Sequence, residues 1–211
     1  MALSLDGSAH INSSNSASLG VALTTSNSND IICVVATVNG APVTSVTASG
    51  LTFTKRANAG TTSAFQIELW TAVATSPLTA LTITTTQTSS AFITVDVFGI
   101  SGADTSTIFD ANAALPSEVS SGNPSISTDT ADTFCLGCMR GTGGSPVAGA
   151  GWTAISAADY QVTEYQIVSS TQSGLSVTAT STTPNGGIGD AIIIASAGGA
   201  TILPQMMQLA S

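Results

Sequence analysis

Charged side chains are scarce in this sequence of 211 residues. They make up 7% of the chain, against roughly 25% in ordinary soluble proteins. Only Lys55, Arg56 and Arg140 are basic, whereas twelve residues are acidic, and the formal net charge is −9. Three cations cannot neutralise a phosphate backbone, so the composition argues against nucleic acid as a partner. It argues against a polybasic contact with a membrane surface for the same reason.

Histidine and long apolar runs are nearly absent as well. The single histidine, His10, lies in a segment rich in Ser and Asn and is expected to be a solvated loop residue. One histidine leaves little room for a hydrolase triad or a zinc site. No stretch reaches the ~18 apolar residues of a membrane helix, and the first residues lack the basic and apolar regions of a secretory signal. We therefore expect synthesis in a cytoplasm, no membrane contact and no secretion by such a signal.

Cysteine is rare, and its count is odd. Three cysteines without a signal peptide argue against a disulfide framework. Cys135 and Cys138 form a C-x-x-C pair, but zinc would need two further ligands in a recognisable pattern. A redox pair of this type would need a helix following a strand. We interpret both cysteines as small apolar residues of a strand, and we predict no metal and no cofactor.

Oxygen-bearing side chains precede two of the predicted strands. Asn27, Asn29 and Asp30 lie before one of them, and Asp129 and Asp132 before another. Loops of this kind can bind Ca²⁺. The same residue types also turn the chain just before a strand, and no D-x-D-x-D-G run is present. The sequence therefore favours turns here over a calcium site.

The sequence consists mainly of short runs in which apolar and polar residues alternate, and these runs are rich in Val, Ile, Thr and Phe. Gly, Pro, Asn and Ser separate the runs, and helical periodicity is almost absent. More than a quarter of the chain is Ser or Thr, which suits strands with an apolar inner face and a hydroxyl-bearing outer face. The predicted strands are 19–24, 31–38, 43–48, 52–56, 65–74, 81–86, 91–100, 125–128, 133–140, 152–155, 162–169, 175–180 and 189–196. This pattern predicts an all-β fold, a jelly-roll-like antiparallel β-sandwich.

An approximate internal repeat divides the chain. Asn29–Val35 resembles Ala131–Gly137, and later segments resemble each other in the same order. The predicted halves are residues 18–103 and 121–200. They could be two immunoglobulin-like sandwiches in tandem, or they could interleave into one larger jelly roll.

We favour a single domain over residues 18–200. The connector between the halves keeps the apolar residues Ile108, Phe109 and Leu115, and it is neither charged nor of low complexity. Residues 1–17 are then an N-terminal segment, and residues 201–211 form an apolar C-terminal tail.

Two carboxylates and a tryptophan form the best candidate for a chemical site. Alternation places Glu68 and Trp70 on one face of their strand and Asp96 on the polar face of another. If these strands pair, the three side chains share an outer sheet face. Paired carboxylates can hydrolyse glycosides, and acids beside an aromatic ring can bind carbohydrate. A solvated face or a subunit interface is the simpler interpretation, so we predict no catalytic residue and keep carbohydrate binding as the alternative.

The two ends of the chain carry the candidate partner-binding residues. Free tails are normally polar, whereas an uncharged apolar tail usually packs on something. Together with the low surface charge, this predicts a homo-oligomer that binds other proteins. The candidate contact residues are Leu3, Leu5, Ile11, Ile202, Leu203, Met206, Met207 and Leu209.

Five segments together resemble a group of β-sandwich proteins found in bacteriophage and prophage genomes and in bacterial surface proteins. The resemblance spans about residues 18–196, and its motifs are structural, so no functional residue is carried over. The segments are Asn29–Val35, Gly50–Arg56, Ile67–Ala72, Val97–Asp104 and Glu164–Val168.

The resemblance implies a jelly-roll-like component of a phage particle, either a capsid decoration (cement) protein or a tail appendage. Proteins of this kind are typically homo-oligomeric, often trimeric, and bind the major capsid protein or other virion proteins. The sequence-based prediction is thus a non-enzymatic virion protein that decorates the capsid. The alternative is a carbohydrate-binding module of a phage tail or a bacterial surface protein.

Overall fold

The computed structural model of the protein describes residues 2–61, 65–142, 146–180 and 183–196. Its regular elements are antiparallel β-strands, which confirms the predicted all-β class. No helix in these ranges is long and apolar enough to cross a membrane. The strands up to residue 101 are β1 (Ser4–Leu23), β2 (Asp30–Val38), β3 (Val43–Ala48), β4 (Leu51–Thr52), β5 (Thr54–Thr61), β6 (Phe65–Ala74) and β7 (Leu81–Ser101). Those that follow are β8 (Ser117–Val119), β9 (Ser125–Ile126), β10 (Thr133–Thr142), β11 (Val147–Ala148), β12 (Thr153–Ala158), β13 (Gln161–Val168), β14 (Leu175–Ser176), β15 (Ala179–Thr180) and β16 (Thr183–Ile193).

The first sheet has seven strands, in the order β4-β3-β7-β2-β6-β5, with β1 added on β7. Strand β7 is long enough to pair along two separate stretches. Its last part pairs with β2 and with the beginning of β1, and its first part pairs with β3 and with the end of β1. The sheet thereby curves into a nearly closed barrel, in which β4 returns to contact β6.

The second sheet has five strands, in the order β12-β13-β10-β16-β8. Two short ladders, β11-β15 and β9-β14, accompany it. Residues from these ladders pack with one face of the second sheet around Cys135, Met139 and Val177. We call this cluster the second-sheet core.

The two sheets pack face to face around a shared core. Ile31 and Phe98 from the first sheet meet Phe134, Leu136 and Ile192 from the second in one buried cluster, which we call the inter-sheet core. Both halves of the chain therefore depend on the same apolar contacts, in keeping with the burial that stabilises sandwiches.

The concave side of the first sheet encloses a further cluster, the first-sheet core, which includes Ile32, Val34, Ile83 and Val95. Strand β2 lies between this core and the inter-sheet core, and all nine of its residues are buried. The sequence of a strand that is covered on both faces is a nearly continuous apolar run. This explains the sequence IICVVATV directly after Asp30.

Candidate functional site

Glu68 lies inside the curved first sheet and is completely buried. Its Oε1 accepts a hydrogen bond from the backbone N–H of Val43 at 3.0 Å. Its Oε2 accepts one from the indole of Trp70 at 3.0 Å and lies 2.7 Å from Nζ of Lys55. The Lys55 ammonium is also 5.0 Å from the centre of the Trp70 ring. The Glu68 carboxylate is thus enclosed by donors of its own chain.

Asp96 lies on the opposite face of the same sheet. In the register of the strands, Glu68 pairs with Ala36 of β2, and Asp96 pairs with the preceding residue, Val35. Adjacent residues of a strand point to opposite faces. The expectation that Glu68, Trp70 and Asp96 share an outer face is therefore wrong, because β2 separates their strands and sets them on different sides.

Asp96 faces the second sheet and is only 1% exposed. Its Oδ2 accepts hydrogen bonds of 2.5 Å from both Gln161 and Thr163, which belong to β13. Its Oδ1 lies 2.6 Å from Nδ1 of His10, on β1. A buried carboxylate with three partners is well compensated for its lost hydration.

His10 joins this carboxylate to a second one. Its Nε2 lies 3.0 Å from Oδ2 of Asp159, and Asn12 donates a short hydrogen bond to the same oxygen. Asp159 and Tyr160 form the turn between β12 and β13, and both have positive φ, 52° and 68°. We call His10, Asp96 and Asp159 the histidine bridge, because it connects the first sheet to a hairpin of the second.

The electrostatics of the bridge favour the charged imidazolium. The hydrogen bond with Asp96 raises the pKa of His10, partial burial opposes that rise, and the contact with Asp159 adds to it. The expectation that His10 is a solvated loop residue is wrong, since it lies within β1 and has two carboxylate partners. Sequence reasoning missed it because only pairing along β7 makes this polar segment a strand.

The histidine bridge does not have the geometry of a catalytic triad. The hydroxyl of Ser156 lies 3.3 Å from Nδ1 of His10, the nitrogen that already contacts Asp96. In a triad, the serine and the carboxylate occupy different ring nitrogens, and here Asp159 occupies the other one. The arrangement holds two elements together and leaves no basic nitrogen free for a nucleophile.

A second ion pair crosses between the sheets. Arg56 of β5 donates from Nε to Oδ2 of Asp190 at 2.9 Å and from Nη2 to Oδ1 at 3.3 Å. Asp190, in β16, is fully buried. The guanidinium also lies 4.0 Å from the ring centre of Phe109, in the connector between the halves. Nothing in the local sequence around Asp190 indicated this partner, which is 134 residues away along the chain.

The oxygen-rich loops before β2 and β10 are organised by carboxylates. Asp6 accepts hydrogen bonds from the backbone N–H groups of Ser26 and Asn27. Asp110 accepts them in the same way from Asp129 and Thr130. In both aspartates, burial would raise the pKa, but these hydrogen bonds outweigh it and lower the pKa. Among the described residues, no group of three or more His, Cys, Asp or Glu could hold a metal ion.

The cysteines of the C-x-x-C pair are both buried, and neither forms a disulfide. Cys135 belongs to the second-sheet core, and Cys138 belongs to the inter-sheet core. The two thiols therefore lie on opposite faces of β10, which is what odd spacing along a strand produces.

The N-terminal partner candidates lie in or beside the cores of the chain itself. Leu3 is 6% exposed and belongs to the inter-sheet core, and Leu5 is partly buried against it. Ile11 packs against the first-sheet core. Residues 4–17 are not a separate segment but part of β1. The candidates Ile202, Leu203, Met206, Met207 and Leu209 lie outside the described residues.

Comparison with known proteins adds no family to this description. The chain matches no family model, no curated protein and no solved structure.

Proposed function

We propose that this protein is a non-enzymatic structural component of a bacteriophage particle that decorates the capsid by binding neighbouring coat subunits. The observation that carries the proposal is the use of its ionisable groups. Seven of the twelve acidic residues are buried. Their hydrogen bonds and ion pairs connect parts of the same chain and so make the fold rigid. Ionisable groups used in this way suit a scaffold better than a catalyst.

The described surface limits the strength of each single contact that such a protein can make. Large apolar side chains that are clearly exposed are few there, namely Val147, Tyr160 and Ile167. The rest is rich in small and hydroxyl-bearing side chains with few charges. Each apolar contact contributes only ~25 cal/mol per Å² of buried apolar surface. Repetition around a symmetric shell turns such modest contacts into stable attachment.

The residues predicted for carbohydrate binding, Glu68, Trp70 and Asp96, are not arranged to bind a glycan. A glycan would have to reach Glu68 and Asp96, which are 0% and 1% exposed and lie on opposite faces of one sheet. Trp70 is partly buried and donates its indole N–H to Glu68. The same burial argues against glycoside hydrolysis by this pair.

Particle association is tested by quantitative mass spectrometry of purified virions and by adding the recombinant protein to particles that lack it. We expect a fixed copy number that matches the capsid symmetry, and saturable binding that co-sediments with the particles. Deletion of residues 201–211 should lower that binding at least about tenfold, whereas Thr153→Ser, at an exposed position of β12, should leave it unchanged. Absence from purified particles, or turnover of a substrate by the free protein, would overturn the proposal.

The N-terminal contact must be tested differently. Deleting residues 1–11 would remove Asp6, His10 and nearly half of the pairing between β1 and β7. The fold would be lost together with any binding. Single substitutions at exposed positions of β1 are therefore the informative variants.

A further inference from the structure

Opposite charges lie near the two ends of β10. Asp132 immediately precedes this strand, and Arg140 is the third residue from its end. At about 3.3 Å per residue, the path along the strand separates the two residues by about 26 Å. Neither of them takes part in an ion pair within the described ranges. Each end of the strand therefore presents an uncompensated charge, and the two charges have opposite signs.

Asp132 is the exception among the acidic residues that are not buried. Seven of the twelve acids are buried, and four of the others accept hydrogen bonds from groups of their own chain. These four are Asp104, Glu118, Asp129 and Asp159. Asp132 is exposed, and no described residue donates a hydrogen bond to its carboxylate. This carboxylate is open to a donor from another molecule.

Arg140 is likewise the exception among the basic residues. The other two each pair with a buried carboxylate, whereas the guanidinium of Arg140 lies among aromatic rings. Its Cζ is 4.3 Å from the ring centre of Phe65, 5.8 Å from that of Phe92 and 5.9 Å from that of Tyr160. Nε and Nη1 have no acceptor in the part of the chain that the structure describes, and the residue is partly exposed. A cation in this state is stabilised by a carboxylate that reaches it from outside, because charge-assisted hydrogen bonds are strong.

A strained turn holds Tyr160 at the surface beside this guanidinium. Tyr160 is 44% exposed, and with Asp159 it forms the two-residue turn between β12 and β13. Its φ is 68°, a conformation for which such turns favour glycine. Bulky residues in this conformation are outliers that cluster at functional sites, and tyrosine and arginine are enriched at the centres of protein interfaces. We call Arg140, Phe92 and Tyr160 the cationic end.

An exposed aliphatic side chain lies beside the charge at the opposite end. Ile167 pairs with Phe134, and Val168 pairs with Thr133, the residue after Asp132. Ile167 is 46% exposed, and with Tyr160 it accounts for two of the three clearly exposed large apolar side chains of the described chain. We call Asp132 and Ile167 the acidic end. Each end thus combines one free charge with one exposed apolar group.

We propose that copies of this protein join head to tail, with the acidic end of one copy bound to the cationic end of the next. The Asp132 carboxylate accepts hydrogen bonds from the Arg140 guanidinium, and Ile167 packs against the ring of Tyr160. A symmetric contact of either end with itself would bring like charges together, which is unfavourable. Head-to-tail contacts of this kind close into a ring or continue as a filament. The inference does not rest on the proposed particle role, since a protein that is absent from virions could still assemble in this way.

The first test is sedimentation velocity of the full-length protein from micromolar to millimolar concentration. We expect the wild type to associate reversibly, and Asp132→Lys to weaken that association at least about tenfold. Thr47→Lys, at an exposed position of β3 in the first sheet, is the matched control and should associate as the wild type does. A wild type that stays monomeric throughout, or an Asp132→Lys variant that associates as the wild type does, would overturn the proposal.

The second test distinguishes a head-to-tail contact from a symmetric one. Tyr160→Gly removes the ring while placing the residue that the turn favours, so the variant should remain folded in a thermal melt and yet associate at least about tenfold more weakly. This variant keeps its acidic end, and Asp132→Lys keeps its cationic end. An equimolar mixture should therefore form a dimer of one copy of each, at concentrations where either variant alone is monomeric. A mixture that remains monomeric would overturn the proposal.

Discussion

His10 and Asp96 are paired across β1 and β7, and 2.6 Å separates the imidazole Nδ1 from the carboxylate Oδ1. Through its other nitrogen, the same imidazole reaches Asp159 in the second half of the chain. An imidazolium can donate to both carboxylates at once, whereas a neutral imidazole can donate to only one. The contact between β1 and the turn at Asp159 therefore depends on the protonation of one side chain.

The histidine bridge predicts that stability falls as the pH rises. The pKa of His10 is higher in the folded protein than its ordinary value of 6.5, chiefly through the hydrogen bond with Asp96. Its contribution is fully present below about pH 6.5, the unfolded pKa, and is lost as the pH rises through the higher folded pKa. His10→Gln should therefore lower the free energy of unfolding by about 2 kcal/mol at about pH 6. By about pH 9 the loss should be smaller. Urea unfolding at both pH values measures the difference.

Asp30 and Glu164 titrate in the same range, since both have a pKa raised to about 7, so the comparison must be made between variants. Asp30 is buried beside Asp6, and both effects raise its pKa to about 7. Its titration is common to the wild type and to His10→Gln and cancels in their difference. A difference that stays constant or grows with pH would show that the bridge does not depend on a charged imidazole.

Most strands could be predicted from the sequence, because alternation is a local property. The segments 43–48 and 65–74 have the bounds of β3 and β6. The segments 81–86 and 91–100 merge into the single strand β7, whose polar middle had indicated a break. The first part of β1 was not predicted, because its Ser- and Asn-rich sequence has no apolar alternation and becomes a strand only by pairing with β7.

The contacts of the candidate site could be predicted far less well. Alternation correctly placed Glu68 on the opposite face of β6 from the residues next to it. It could not show that β2 lies between the strands of Glu68 and Asp96. It also treated the polar face of a strand as solvated, whereas the curved sheet buries both faces. Partners such as Arg56 and Asp190 meet only after the two sheets have packed.

The internal repeat remains a prediction, with several shared details to support it. Asn29 and Asp132 both have positive φ, 60° and 53°, immediately before β2 and β10. The carboxylates of Asp6 and Asp110 bind the backbone of the loops just ahead of these residues. In the structure, Asn29 therefore corresponds to Asp132. The sequence comparison had instead aligned Asn29 with Ala131, one residue earlier.

Two buried glutamates should respond to the same substitution in opposite directions. Glu68 has Lys55 as an ionic partner, whereas Glu164 has no cationic partner among the described residues. Burial raises the pKa of Glu164 to about 7, against the hydrogen bonds from Gly149 and Thr178. An acid with a raised folded pKa costs stability as the pH rises from its unfolded value toward the folded one.

At about pH 8, Glu164→Gln should therefore raise the free energy of unfolding by about 1–3 kcal/mol. Glu68→Gln should lower it by about 2 kcal/mol, because Lys55 loses its ionic partner. Chemical denaturation of the two variants, with the wild type in parallel, measures both changes. Destabilisation by Glu164→Gln at this pH would mean that its carboxylate is satisfied as an ion.

The pair of Arg56 and Asp190 predicts that the chain unfolds as one unit. Asp190 is fully buried, and Arg56→Met would leave its charge without an ionic partner, at a cost of about 3–5 kcal/mol. Because both halves share the inter-sheet core, that loss should lower the melting temperature of the whole protein. Scanning calorimetry should show a single transition, with calorimetric and van't Hoff enthalpies in agreement. Two separate transitions would instead indicate tandem domains.

The packing around Gly137, in the middle of β10, leaves no space for a larger side chain at this position. A Cβ atom at this position would lie 2.4 Å from Cγ1 of Val177 and 3.1 Å from Cγ of Glu164. Gly137→Ala should therefore destabilise the protein by about 1–3 kcal/mol through overpacking. Gly20→Ala is the milder control, since its Cβ would meet the side chain of Thr82 at 3.1 Å.

A second substitution shows whether this clash is the cause. Val177→Ala removes the methyl group that the new Cβ would strike. The double variant Gly137→Ala with Val177→Ala should therefore be more stable than the sum of the two single changes predicts. Urea unfolding of all four proteins completes the cycle. Additive losses would mean that the cost of Gly137→Ala arises at Glu164 or in the backbone of β10 instead of at Val177.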